Sequence, residues 1–260
     1  MNLELRGKTA IITGGSKGIG RATALRFVEE GASVLICARG REALDETAAA
    51  ARKAVEGAKV TTTAADLTQT DDIRRVVDEA VRALGRIDIL VNNAGSARPG
   101  EFLKLGDDVW HTDFELKFFG YVRMAREVMS HMAQQRSGAI INVIGTGGLR
   151  PSAGYMVGGA ANAALNHFTK ALADEGSKHG VRVVGVNPGP ILTERLQLFT
   201  ERAAQGRNLE EIYARMTPLG RAGKPEEVAD LIAFLSSPRA AFIHGANITI
   251  DGGANPGLIG

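Results

Sequence analysis

Seven short apolar runs alternate with longer amphipathic segments along the 260-residue chain. The runs are rich in Val, Ile and Thr, and they lie at about 8–13, 33–38, 59–65, 87–93, 139–144, 181–187 and 246–251. Such runs are typical of parallel strands that are buried between two layers of helices. Because regular strand–helix alternation requires right-handed crossovers, the sequence predicts an α/β fold, a doubly wound parallel sheet of about seven strands with helices on both faces.

The composition bears on whether the protein binds nucleic acid or membranes. Lys and Arg number 31 against 29 Asp and Glu, which gives a net charge of +2, and no long block of one charge sign occurs. The charge pattern therefore does not indicate binding to nucleic acid or to an anionic membrane. No run of 18 apolar residues and no signal-peptide core occurs, so we expect no membrane contact and a cytoplasmic protein. The single cysteine, Cys37, lies in the apolar run SVLICAR and is predicted to be buried and inert.

A glycine-rich segment, TGGSKGIG at 13–20, directly follows the first predicted strand and opens a helix. Its glycines at 14, 18 and 20 allow the backbone to turn tightly and to approach a pyrophosphate at the helix N-terminus. This placement indicates dinucleotide binding by a Rossmann-type fold, and we expect a single NAD(P)-binding domain over 1–260. The one expected excursion is a mobile helical substrate lid at about 193–215.

The end of the second predicted strand bears on the choice of cofactor. A carboxylate there would bind a ribose 2′-hydroxyl and repel a 2′-phosphate. The chain has Ala38 and Arg39 at that place, and Lys17 of the glycine loop can point to the same region. Two cations without a carboxylate predict NADP(H) in preference to NAD(H).

Five motifs in order, TGGSKGIG, ADL at 65–67, NNAG at 92–95, NPGPILT at 187–193 and DGG at 251–253, resemble the short-chain dehydrogenase/reductase family. The resemblance implies an oxidoreductase that assembles as a homotetramer, or a dimer, through helices at about 108–135 and 155–179. The cofactor-binding residues that it implies are Thr13, Gly14, Ser16, Lys17, Gly18, Ile19, Gly20, Arg39, Asp66, Leu67, Asn92, Asn93, Ala94, Gly95, Asn162, Pro188, Gly189, Ile191 and Thr193.

The same resemblance implies a catalytic tetrad of Ser, Tyr, Lys and Asn, which this chain lacks. Counting back from Thr169 places Asn162 at the lysine position and Gly158 at the tyrosine position. The usual serine–tyrosine spacing then places Gly145 at the serine, and Lys117 falls at the asparagine. We therefore expect open space beside Gly158, where a phenol would otherwise stand.

Two side chains are candidates for the missing catalytic groups. Tyr155 becomes the catalytic tyrosine only if the alignment is three residues out. The alignment as counted predicts that Tyr155 does not replace the missing tyrosine and belongs instead to the wall of the substrate pocket. Lys117 is either a snorkelling surface cation or a desolvated amine that acts as a base or pairs with a substrate carboxylate. The five histidines show no metal-ligand spacing, so no metal is expected.

Three functions fit these observations. The first is an NADP(H)-dependent oxidoreductase that acts on a carbonyl/alcohol pair with a non-standard active site. The second is an inactive NADP-binding sensor or partner subunit, and the third is a non-redox lyase-type enzyme on the same fold. The intact cofactor motifs argue against the third, and we favour the first.

Overall fold

A single seven-stranded parallel sheet, in the order β3-β2-β1-β4-β5-β6-β7, forms the centre of the molecule. The computed structural model describes residues 1–95, 98–204 and 208–255. The strands are β1 (Thr9–Thr13), β2 (Ser33–Ala38), β3 (Val60–Ala64), β4 (Ile89–Asn92), β5 (Gly138–Val143), β6 (Val181–Pro188) and β7 (Asn247–Ile250). The predicted strands and the predicted fold class are thus confirmed.

Helices cover both faces of the sheet, because the strands are apolar on both sides. The α-helices are α1 (Gly18–Glu29), α2 (Arg41–Ala54), α3 (Thr70–Leu84), α4 (Asp107–Phe114), α5 (Gly120–Gln135), α6 (Met156–Ser177), α7 (Glu194–Ala204), α8 (Leu209–Met216) and α9 (Pro225–Ser236). One hydrophobic cluster joins the sheet to α1, α2 and α9, and a second joins it to α3, α5 and the C-terminal part of α6. Cys37 lies in the second cluster, fully buried as predicted, and burial raises the pKa of its thiol to about 12.

The strand order reverses at β1, which pairs with β2 on one side and with β4 on the other. In an open α/β sheet, a crevice forms at the carboxyl ends of the strands where the order reverses. The glycine loop follows β1, and the NNAG and NPGPILT motifs coincide with the ends of β4 and β6. The topology therefore brings the sequence motifs to one edge of the sheet.

A short π-helical segment, Glu115–Phe119, joins α4 to α5. Such wider turns occur often at functional sites, because they re-aim a side chain relative to the helix around it. Lys117 lies in the middle of this segment.

The helices α7 and α8 lie in the range 193–215 that was expected to form a lid. Residues 205–207 of that range lie outside the described part of the chain. Residues 256–260 of the expected domain lie outside it as well. None of the described helices combines the length and the apolar character that a bilayer crossing requires.

Candidate active site

A cleft of about 1150 Å³ opens at the carboxyl edge of the sheet. Most residues that the sequence assigned to cofactor or catalysis line it, namely Gly14, Lys17, Gly18, Ile19, Asn93, Ala94, Gly95, Lys117, Gly145, Tyr155, Asn162, Pro188, Gly189, Ile191 and Thr193. Its remaining wall comes from the loops after β4 and β5 and from the first turns of α7. The cleft therefore has a glycine-loop end and an end that α7 covers.

The glycine loop has the geometry that a phosphate group requires. Gly14 has a φ of 67°, and a Cβ on Gly20 would collide with the carbonyl oxygen of Gly14. The cap position of α1, Lys17, makes no side-chain hydrogen bond to the first turn. The backbone N–H groups of that turn thus remain available to an anion, and this end of the cleft fits a dinucleotide pyrophosphate.

Other predicted cofactor residues lie beneath or beside the cleft rather than in its lining. Thr13 is fully buried, and its hydroxyl accepts hydrogen bonds from the backbone N–H groups of Asn93 (2.8 Å) and Ala94 (2.9 Å). The Asn92 amide donates to Asn142 Oδ1 at 3.0 Å in the buried interior. These side chains hold the end of β4 in place beside β1 and β5. Four further predicted residues also lie outside the lining, namely Ser16, Gly20, Asp66 and Leu67. Leu67 belongs to the buried core. The Asp66 carboxylate accepts hydrogen bonds that fix its own turn.

The two cations expected to select the cofactor differ in their partners. Arg39 is exposed directly after β2 and forms no ion pair with any described residue. Lys17 is bound instead to Glu194 at the start of α7, with Nζ and Oε2 2.7 Å apart. This bridge spans the mouth of the cleft, and sequence reasoning missed it because Glu194 is distant along the chain and lies in the expected lid.

The serine position has a backbone that favours glycine. Gly145 has φ 125° and ψ 145°, a region in which other residues are strained. Its N–H donates to Asn187 Oδ1 at 3.2 Å, which anchors this conformation to β6. The backbone conformation at position 145 therefore favours glycine over other residues.

The expectation of open space beside Gly158 is wrong, because the ring of Tyr155 occupies that space. A Cβ built on Gly158 would overlap the tyrosine ring and would stand 2.5 Å from its hydroxyl oxygen. Gly147 bounds the ring on the other side, where a Cβ would lie 3.0 Å from Tyr155 Cε1. Tyr155 lies just before α6, in a 3-10 turn over Ala153–Tyr155, and its ring folds back over Gly158 beside the cleft.

Tyr155 nevertheless does not reproduce the position of a tyrosine at 158. The hydroxyl of such a residue would lie a full ring length beyond its own Cβ, whereas the Tyr155 hydroxyl lies close to that Cβ position. The phenol is thus present in the cleft but is set nearer to the α6 backbone.

Asn162, at the lysine position, is 3% exposed and lines the cleft. Its Oδ1 has no hydrogen-bond partner among the described residues. Burying an unpaired carbonyl is costly, so this oxygen is suited to accept a hydrogen bond from a ribose hydroxyl. The orphaned acceptor is a second observation that the cleft fits a nicotinamide dinucleotide.

Lys117 is a buried amine, 8% exposed, that reaches the cleft. Its Nζ donates to the Val143 carbonyl at 3.0 Å and to the Tyr121 hydroxyl at 3.3 Å. Burial, with the nearby Arg195 charge, lowers the pKa of Lys117 to about 7. Burial raises the pKa of the Tyr121 phenol well above its usual value, so Tyr121 acts as a neutral hydrogen-bonding partner. The surface interpretation of Lys117 is thus wrong, since the side chain lies inside.

Sequence reasoning missed Arg195 and Tyr121. Arg195 lines the cleft from α7, and its Nη1 donates to the Gly95 carbonyl at 3.4 Å. Tyr121 follows Lys117 by four residues, a spacing that places both on one helix face. That spacing is the one signal by which the sequence could have indicated Tyr121.

The fold and the cleft define a class: an α/β protein with a dinucleotide site at the switch point of a parallel sheet. The family model described as enoyl-(acyl carrier protein) reductase matches residues 14–255. The 3-oxoacyl-[acyl-carrier-protein] reductase of Thermotoga maritima is 36% identical over 253 residues, which cover 96% of this chain and 99% of that protein. A probable 2,4-dienoyl-CoA reductase of Bacillus subtilis is 37% identical over 258 residues, with 95% and 96% covered.

Among solved structures, the L-sorbose reductase of Gluconobacter frateurii, complexed with NADPH and L-sorbose, has a TM-score of 0.94 at 32% identity. The match covers 99% of this chain and 100% of that one. The chain therefore belongs to the short-chain dehydrogenase/reductase family, a family of oxidoreductases.

Proposed function

We propose that this protein is an NADP(H)-dependent oxidoreductase that interconverts a carbonyl compound and its alcohol, with Tyr155 as the proton-exchanging group. The observation that carries the proposal is the pose of Tyr155, whose phenol lies over Gly158 inside the cleft. Hydride transfer is the chemistry that a nicotinamide cofactor supplies when it is bound. In the reductive direction the Tyr155 hydroxyl donates its proton to the oxygen of the former carbonyl, which becomes the alcohol.

The residues around the phenol support this role. Gly145 and Gly147 bring the loop after β5 close to α6, so the ring is held between two backbone segments. Asn162 accepts a hydrogen bond from a ribose hydroxyl of the cofactor, while the glycine loop binds the pyrophosphate. The side of α7 that faces the cleft closes it over the substrate and forms part of the lid.

Preference for NADP(H) rests on Arg39 and Lys17. Arg39 is exposed at the end of β2 and is free to meet a 2′-phosphate, and Lys17 contributes once its bridge to Glu194 opens. The L-sorbose reductase structure contains NADPH, which is consistent with this choice.

The helices at 108–135 and 155–179 are the proposed interface of a homotetramer, or of a dimer. A monomer by light scattering at micromolar concentration would exclude both assemblies.

The test is NADPH oxidation measured with a panel of ketones, ketoses and 3-oxoacyl thioesters, in the native protein and in Tyr155→Phe. Removal of a positioned acid typically costs about 10²–10⁴ in rate, and we expect a loss in that range. Tyr213→Phe is the matched control, since it removes a hydroxyl from α8 outside the cleft lining. A Tyr155→Phe protein as active as the native one would refute the assignment, and loss on Lys117→Ala alone would place the base on the other helix.

A second candidate function is cofactor binding without turnover. The specific observation in its favour is that Asn162 supplies no cation to stabilise a tyrosinate and Gly145 supplies no hydroxyl. Tight NADPH binding without oxidation of any panel substrate would select this function.

A further inference from the structure

Two cations approach the same glycine at the α7 end of the cleft. A Cβ built on Gly95 would collide with the Lys117 side chain and lie 3.3 Å from Nζ, and Arg195 Nη1 lies 3.4 Å from the Gly95 carbonyl oxygen. The side chains of Lys117 and Arg195 thus both contact Gly95. Both residues also belong to the lining of the cleft.

The carboxylates nearby are already paired. Glu194 lines the cleft but binds Lys17 at 2.7 Å, and Asp113 binds Arg98 at 3.1 Å. Within the described part of the chain, Lys117 forms no ion pair, and its two hydrogen bonds go to neutral oxygens. Lys117 has no compensating negative charge among the described residues, so an anion placed beside it would stabilise its charged form.

We infer that Lys117 and Arg195 form a carboxylate-binding site for the substrate, and that the substrates are oxo acids and the corresponding hydroxy acids. This inference rests on the proposed function for its reaction and extends it to a substrate class. A guanidinium group binds carboxylates through charge-assisted N–H donors, and the Lys117 ammonium supplies a second positive charge. Leu196, Leu198 and Phe199 of α7 provide the apolar wall that receives the carbon chain of the acid.

The low pKa of Lys117 agrees with this role. Arg195 and burial both disfavour the charged amine when no anion is bound. A carboxylate placed between the two cations reverses the electrostatic cost, because it attracts both of them. Binding of the acid therefore draws a proton onto Lys117.

The experiment compares 2-oxo, 3-oxo and 4-oxo acids with their methyl esters, since the distance between carbonyl and carboxylate is left open by the cleft. Steady-state NADPH oxidation gives the acid-to-ester ratio of kcat/KM for each pair. For the oxo acid with the preferred spacing of carbonyl and carboxylate, we expect an acid-to-ester ratio of about tenfold or more in the native protein. Lys117→Met and Arg195→Gln should each reduce the ratio about tenfold, whereas Arg82→Gln, which removes an exposed charge on α3, should leave it unchanged.

Calorimetry with the NADP⁺-loaded protein separates this inference from the proposed function. The same oxo acids and esters bind there without reduction, so a preference for the acid that Arg195→Gln removes supports the anion site even if no turnover is found. Thermal unfolding verifies that each variant is folded. Equal affinity for acid and ester in the native protein, or an unchanged acid preference in both Lys117→Met and Arg195→Gln, overturns the inference.

Discussion

The pose of Tyr155 makes Gly158 a sensitive position, and Gly158→Ala tests it. The new methyl group would stand 2.5 Å from the tyrosine hydroxyl oxygen, whereas non-bonded heavy atoms separate at about 3.5 Å or more. The hydroxyl must therefore retreat by about 1 Å at least. A displacement of about 1 Å can lower a rate about 10²-fold, so we expect kcat to fall by about that factor.

Stability should change little in the same variant. Gly158 lies in the first turn of α6, where replacing glycine by alanine stabilises a helix by about 0.5–1 kcal/mol. Displacing a half-buried ring costs a similar amount, since overpacking costs about 1–3 kcal/mol even in a tight core. A large loss of kcat with a nearly constant melting temperature is the expected signature.

The assay is a double-mutant cycle with Tyr155→Phe, read by NADPH oxidation on whichever substrate the panel identifies. Because Gly158→Ala acts through the phenol, the double variant should be no slower than Tyr155→Phe alone. Gly154→Ala is the matched control, because a Cβ there meets nothing within 4 Å. A native kcat in Gly158→Ala, or additive losses in the cycle, would refute the reasoning.

Three further predictions concern charge. Arg39→Asp should narrow or reverse the preference for NADP(H) over NAD(H) in titrations at moderate salt, and equal affinities in the native protein would contradict the assignment. Glu194→Gln should release Lys17 and tighten NADP(H) binding only slightly, because an ion pair between two exposed side chains is weak, and NAD(H) binding should stay unchanged as the comparison. Lys117→Met should stabilise the fold most below pH 7: a pKa lowered from 10.5 to about 7 penalises the folded state fully there, and the penalty fades as the pH rises towards 10.5. Chemical unfolding at pH 6 and pH 10 measures this difference, and a gain that grows with pH would contradict the buried-cation account.

The fold could be predicted because its signals are periodic and local. Runs such as KTAIIT and AIINVI are apolar on both faces, and each is followed by a turn or a loop rich in glycine. Parallel topology then brings the ends of β1, β4, β5 and β6 to one edge without further information. The cofactor end of the cleft could be predicted for the same reason, because its motifs directly follow these strands.

The catalytic end could not be predicted in the same way, since it depends on which side chain fills a space that another has left. The sequence indicates that position 158 lacks a side chain, but it does not indicate that the Tyr155 ring packs between Gly158 and Gly147. Arg195 was missed for a related reason: its approach to Gly95 joins residues 100 positions apart. Hydrophobic periodicity along the sequence gives no information about contacts between residues so far apart in the chain.

The glycines around Tyr155 form one mutually dependent arrangement. A side chain at 147 or 158 would displace the ring, and a side chain at 145 would strain a backbone held at φ 125°. Restoring a single member of the family tetrad should therefore fail: Gly158→Tyr would meet Tyr155, and Gly145→Ser would require a different path after β5. Since the Tyr155 ring fills the space beside Gly147 and Gly158, we interpret these two glycines as parts of one site built around the Tyr155 ring.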